Sequence, residues 1–339
     1  MLPNSVFVCR TSPRTLRKDI ERALEGSGFR KYYLNKRKTL IKINANYDRK
    51  YPGCNTSTWF LDALLKVLKK MEFTDLAVVE GDLKLQPALK TISAIGIEKV
   101  LLENGVPFIT IEDFPRKHEI PRLIFDAQVI NAPVIHTHTF AIFSCASKNL
   151  FGLLPIYREK YHNELSQKLL ELGRLIKPCF TIVDGTVGLD GGSMRMGNPR
   201  RLDLLLAGWD ILAIDIVVAK IMGFSIDEVP ILKLAKEKNV ASNLVSVKGD
   251  YSWEELPNYH FKYKSSMLAQ LDLYLRRNAA TKKLFEFNSV LDMSAQYLRR
   301  FYLSIVFHFK KKGLYKCSWM EYADNVIDEE TRQQYSERV

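Results

Sequence analysis

Over its first two-thirds the chain alternates short β-branched runs with stretches whose apolar residues recur at helical spacing, and that alternation leaves few folds open. Val6–Arg10, Thr39–Asn46, Asp75–Glu80, Phe108–Glu112, Ala127–Ile135, Phe180–Asp184 and Val245–Lys248 read as strands. Between them, Ser12–Gly26, Ser57–Met71, Pro87–Gly105, Glu159–Ile176, Asp210–Gly223 and Val229–Lys238 read as helices, with Leu61, Leu64, Leu65 and Leu68 marking one buried face. Strands separated by helical crossovers pair in parallel. The expected fold class is therefore α/β, a doubly wound, mostly parallel sheet in Rossmann-like layers. It occupies residues 1–252, as one domain or as two lobes at about 1–126 and 127–252. Beyond Trp253 the helical patterns become rich in Tyr, Phe, Lys and Arg (YLRRNAATKKLFEF, then YLRRFYLSIVFHFKKK), so 253–339 is expected to be a basic helical extension with an acidic tail.

Charge and cysteines narrow the class further. The net charge of +12 is uneven: 260–316 holds 12 Lys/Arg against 3 Asp/Glu, and 30–50 holds 8 against 1. The long apolar window Leu202–Phe224 is interrupted by Asp203, Asp210, Asp215 and Lys220, which suits a protein core better than lipid. Five scattered cysteines with no CxxC pair argue against a disulfide framework, a zinc ribbon or a built-in iron–sulfur cluster. With no basic segment leading into an apolar run at the N-terminus, a cytoplasmic setting is expected.

Three segments could carry chemistry. In the first, IKINAN and then YPGCNTSTW, Lys42 and Asn44 lie on one face of a strand, followed by a Pro-Gly turn and the helix start at Thr56. Backbone N–H groups at such a start, with Lys42 adding charge, suit an anion. The alternative is plain helix capping with Lys42 reaching solvent. The second, NAPVIHTHTFAIFSCASKNLFG, places His136 and His138 two apart on one strand face, with Lys148 and Asn149 in a small-residue stretch and His162 beyond. Two histidines so spaced are a weak sign of a metal. Candidates for a divalent ion are His136, His138 and Asp184. The third, FTIVDGTVGLDGG, ends a strand on Asp184-Gly185, a usual place for a functional acid in α/β folds. Downstream, Asp210 is expected to cap a helix, and Asp215 inside that apolar helix needs a partner or a pocket.

Taken in order, these segments resemble the domain-of-unknown-function 362 family. The shared pattern is Lys42, Asn44, Pro52, Gly53 and Thr56; then Glu80-Gly81; then Asn131, Pro133, Thr137 and His138. Lys148, Asn149, Leu150, Gly152, Arg158 and His162 continue it, as do Asp184, Gly188, Gly191, Gly197, Asp210, Ala213 and Asp215. Val134 and His136 stand where the family usually has lysines, and Ser193-Met194 where it usually has Gly-Pro. Many relatives carry a four-iron ferredoxin module for which this chain lacks the cysteines.

The leading expectation is an enzyme acting on a small anionic metabolite at the strand carboxyl ends. Lys42, Asn44, Thr56, Glu80, Asn149, Arg158 and Asp215 are the expected binding residues. His138 and His162 are candidate acid–base groups, with Lys148 and Asp184 beside them. A second reading is a non-catalytic cofactor carrier or maturation partner. A third gives 260–316 to nucleic acid or an anionic membrane surface. Against this third reading, the aromatics of 260–316 are expected to pack onto the body with their charges in solvent.

Overall fold

The computed structural model describes residues 4–177, 179–191, 195, 197–240, 245–263, 274, 290–311 and 319. The expected helix over 275–287, the tail after 319, and Gly192, Ser193 and Met194 lie outside the described residues. The first half runs β1 (Ser5–Arg10), α1 (Leu16–Gly26), α2 (Phe29–Tyr32), β2 (Thr39–Lys42), α3 (Thr58–Lys70), β3 (Leu76–Glu80), α4 (Ala88–Ile95), α5 (Ile97–Glu103) and β4 (Phe108–Thr110). A small hairpin of β5 (Arg116–Lys117) and β6 (Ile120–Pro121) follows, then β7 (Gln128–Asn131), β8 (Val134–His138), β9 (Ile142–Ser144) and α6 (Ala146–Leu150). The rest is α7 (Leu165–Leu175), β10 (Cys179–Asp190), β11 (Asn198–Gly208), α8 (Ile211–Met222), α9 (Pro230–Glu237), β12 (Ser246–Gly249) and α10 (Val290–Lys311).

Among the described residues one ten-stranded sheet runs β12-β1-β11-β10-β7-β2-β3-β4, with β8 paired to β10 and β9. Its pairs are mostly parallel; β11 lies antiparallel to both β1 and β10, and β9 to β8. Strands from 1–126 and from 127–252 are interleaved in it, β1 lying between β12 and β11. Because successive strand residues point to opposite faces, each central strand feeds two cores. Leu40, Val79, Val129 and Leu204 pack with α6, α7, α8 and α9. Ile41, Val78, Ile130 and Leu205 pack with α1, α3 and α5. Each large apolar side chain so buried contributes about 1.5–3 kcal/mol. Helices on both faces are what make the sheet doubly wound.

Several boundaries differ from the sequence expectation, each for a local reason. β2 stops at Lys42 because the Asn44 backbone turns to Thr56, whose Oγ1 accepts from Asn44 N at 2.8 Å while Thr56 N donates to Asn44 O at 2.9 Å. The expected strand 127–135 divides at Pro133, which has no N–H to give a ladder. The expected helix 87–105 breaks at Gly96, in the left-handed region at φ 86°. β11 went unread because its leucines merge with the apolar run of α8, and a short apolar run does not by itself distinguish strand from helix. Asp210 caps α8 as expected, accepting from Leu212 N at 2.9 Å.

No helix of the described residues is long and apolar enough to cross a membrane. Cys9, Cys145 and Cys179 are buried free thiols, and Cys54 is buried as well. The strand-like stretch after β12 stays on the body: Tyr259 N donates to Ile221 O at 2.8 Å, Phe261 N to Met222 O at 2.7 Å, and Phe261 is buried. Trp319 is also buried, stacked on Trp59 at 6.2 Å and donating to Asp203 Oδ1 at 2.8 Å. On α10, Gln296 bonds Glu159 and Arg300 pairs with Asp48 at 3.0 Å. Tyr297, Leu298, Phe301, Tyr302 and Ile305 are exposed instead. Among the described residues, Tyr297, Phe301 and Tyr302 thus point outward and do not pack onto the body, whereas Phe261 packs as expected.

Gly53 shows how closely the loops seat. Its φ is 79°, and a Cβ there would lie 2.7 Å from the carbonyl carbon and oxygen of Gly188. Gly53→Ala should therefore lower stability by about 2–4 kcal/mol in urea unfolding followed by tryptophan fluorescence. An unchanged midpoint would show that the two backbones are not locked together.

Candidate functional site

At the carboxyl ends of β2 and β3, Lys42 Nζ meets Glu80 Oε1 at 2.7 Å, both side chains almost wholly buried. Lys42 has the same parity as Leu40, so it leaves the sheet toward the α6 face. Its ammonium also donates to Ile43 O at 2.6 Å; Glu80 accepts from Ala45 N at 3.0 Å and from Gly81 N at 2.9 Å. Burial pulls the Lys42 ammonium below the ordinary lysine value, with Glu80 pulling the other way. The pair thus ties together the two chain segments leaving adjacent strands. A turn at Phe151–Leu153 covers it: a Cβ on Gly152 would lie 2.8 Å from Lys42 Nζ and 3.0 Å from Glu80 Oε1.

The short helix α6 is held from below. Asp215, on α8, accepts from Ala146 N at 2.9 Å and Ser147 N at 3.0 Å, and burial pushes its carboxyl up to about 6. Asn149 donates to Asn131 Oδ1 at 2.8 Å and Lys42 O at 3.2 Å. The partner that Asp215 needs is therefore the start of α6, and the helix it anchors presents Lys148. Lys148 is partly exposed, with Nζ 4.1 Å from the centre of the Phe151 ring. Among the described residues its ammonium has no hydrogen-bond or ion-pair partner. Burial, then the charges of Arg158 and Lys42, push it down to about 7.

Two aromatic rings bring His138 and His162 to the same place. The His138 ring lies 5.9 Å from Phe140, Phe140 lies 4.9 Å from His162, and His162 stacks on Phe151 at 5.7 Å. His138 Nδ1 accepts from Phe140 N at 3.1 Å, so in the neutral ring Nε2 carries the proton. His136 is buried deeper. Asn44 Nδ2 donates to its Nε2 at 3.3 Å and its Nδ1 faces Thr137 O at 3.2 Å, a neutral tautomer; burial drives its proton affinity down to about 4. Arg158 is buried too, donating to Leu154 O at 3.0 Å and Asp82 O at 2.9 Å.

Asp184 and Thr56 stand elsewhere. Asp184 accepts from Ser57 N at 2.9 Å, Ser57 Oγ at 2.6 Å and Thr186 Oγ1 at 2.7 Å, at the start of α3 on the other face of the sheet. Burial raises its carboxyl against these bonds. Thr56 Oγ1 donates to Ala132 O at 2.8 Å. Among the described residues no group of three or more His, Cys, Asp or Glu is placed to hold a metal ion.

The structure adds a recess that the sequence does not reveal. Tyr47, Asp48 and Arg49 after β2, Gln86 after β3, Arg195 between β10 and β11, and Arg300 and Ser304 on α10 line it. Three arginines and one carboxylate thus line it, and Arg300 pairs with Asp48 at 3.0 Å. They come from segments far apart in the chain, with no spacing to link them. Hydrogen bonds connect this recess inward: Arg195 to Asn46 O at 2.6 Å, Asn46 to Asn44, and Asn44 to His136.

Glu80→Gln would leave the Lys42 ammonium buried beside a neutral amide and should cost about 3–5 kcal/mol in urea unfolding. The double change Lys42→Met with Glu80→Leu should be more stable than Glu80→Gln alone. Equal midpoints for Glu80→Gln and the parent would mean the pair does not hold the strand ends.

A family model described as "Domain of unknown function (DUF362)" matches residues 39–220, more than half of the chain. A thylakoid-associated protein of Synechocystis sp. is 29% identical over 164 residues, which cover 46% of this chain and 50% of that protein. The chain thus spans about half the length of this curated relative. The matched span runs from β2 to α8 and takes in the Lys42–Glu80 pair, α6 and the Asp215 that anchors it, and on that match the chain belongs to the DUF362 family of domains of unknown function.

Proposed function

We propose that the protein is an enzyme acting on a small metabolite that bears a carboxylate or phosphate, bound at the carboxyl ends of the strands. The observation that carries this reading is the recess with Arg49, Arg195 and Arg300 on its walls and Asp48 as its carboxylate. Guanidinium forks match the paired oxygens of carboxylate and phosphate, and loops beyond strand carboxyl ends are where α/β sheets bind ligands. The cluster of His138, His162 and Lys148 supplies proton-transfer groups, with His138 the first choice as acid or base. The buried free thiols of Cys9, Cys145 and Cys179 favour a reducing compartment such as the cytoplasm.

A thermal-shift screen of the full chain against carboxylate- and phosphate-bearing metabolites tests the reading. At least one compound should raise Tm, and Arg195→Gln should weaken its binding about tenfold. No stabilising compound, or hits indifferent to Arg195→Gln, would overturn it. A bound compound that is never turned over would instead favour the cofactor carrier or maturation partner.

A second reading concerns α10. Its exposed Tyr297, Leu298, Phe301, Tyr302 and Ile305 recur at helical spacing, within a segment carrying 12 Lys/Arg against 3 Asp/Glu. Such a helix suits the surface of an anionic membrane, and the relative's description as thylakoid-associated agrees with it. Full-length protein should co-sediment with phosphatidylglycerol vesicles more than with phosphatidylcholine vesicles, and Phe301→Asp should remove most of that binding. Equal partitioning to both lipids, or salt-sensitive binding to RNA alone, would count against it.

A further inference from the structure

We propose that Lys148 is a nucleophile that condenses with the carbonyl carbon of a small 2-oxo acid. The inference rests on the anionic-metabolite reading for its substrate class, and it turns on a contrast between two lysines a short distance apart. Lys42 is buried and has Glu80 at 2.7 Å, as a structural ammonium requires. Lys148 has no carboxylate and no hydrogen-bond acceptor among the described residues, only the face of Phe151. A surface lysine would pair with a carboxylate; this one sits partly buried, with Arg158 and Lys42 as the charges acting on it. An ammonium that rests on an aromatic face and feels two other cations is disfavoured, which favours the neutral amine. The push down to about 7 agrees with that geometry.

The backbone that carries Lys148 is fixed on both sides, by Asp215 at the start of α6 and by Asn149 to Asn131 and Lys42. Placement on a rigid element is what a covalent step needs. The same positive surroundings would draw the carboxylate of a 2-oxo acid toward the amine. In the step itself the Nζ lone pair forms a C–N bond to the carbonyl carbon, and the C=O π pair moves to oxygen. A proton passes from nitrogen to that oxygen. A second proton, taken from solvent, lets the oxygen leave as water. The product is the iminium C=N⁺; no oxidant or reductant is consumed.

Incubation of the full chain with pyruvate or glyoxylate and cyanoborohydride, followed by peptide mass mapping, tests this. Hydride should trap the iminium as one secondary amine on Lys148, about tenfold faster than on any other lysine, with labelling half-maximal near pH 7. Lys148→Arg, which keeps a long basic side chain without a nucleophilic amine, should abolish that adduct while its urea midpoint shows that the fold persists. Labelling spread evenly over the lysines, or none at Lys148 in the parent chain, would overturn the proposal. If a metabolite from the thermal-shift screen binds while Lys148 stays unlabelled, the nucleophile is refuted and the anion reading stands. Labelling at Lys148 without any anion binding would reject the reading and keep the nucleophile.

Discussion

The buried Lys42–Glu80 pair sets the terms for everything above the sheet. Two opposite charges taken from water are stable only when each keeps further partners, and both do. Those partners are backbone groups at Ile43, Ala45 and Gly81, the first residues beyond β2 and β3. The loops that follow therefore start from fixed points. One brings Tyr47, Asp48 and Arg49 to the recess, the other Gln86. The covering turn at Gly152 comes close enough that no side chain fits there, so α6 and its Lys148 are placed by the same pair.

Charge near this pair follows from burial more than from attraction. Lys148, His136 and Asp215 all have their protonation pulled toward the neutral form, and in each case burial is the largest cause. His136 and Asp215 are held by hydrogen bonds suited to structural work. Lys148 has no such bonds among the described residues, the contrast on which its proposed role rests.

Much of the fold was legible in the residues, because period-two and period-3.6 patterns report burial directly. Leu40 and Ile41 feed opposite cores as strand alternation requires, and Leu61, Leu64, Leu65 and Leu68 line one face of α3. What stayed hidden had a physical cause each time. β11 is apolar on both faces and runs into an apolar helix, so periodicity had nothing to detect. The sequence placed Lys42, Glu80 and His138 at strand ends, where the structure has them, and Lys148 in a stretch of small residues that forms α6. Asp184, at a strand end, and Asp215, inside an apolar helix, differed in sequence context, yet each carboxylate accepts at the start of a helix, α3 and α6 respectively. The arginine recess needed three-dimensional proximity that no spacing encodes.

Trp319 gives the C-terminal region a different standing from that of an appendage. Its indole lies in the core shared by α1 and α3, against Trp59, while Phe261 fills the core on the opposite face. The chain beyond β12 therefore completes the two hydrophobic layers from outside, much as a lining closes a seam. Cutting it at residue 252 would open both layers to water at once, so a shortened chain would report on a damaged sheet as much as on the missing helices.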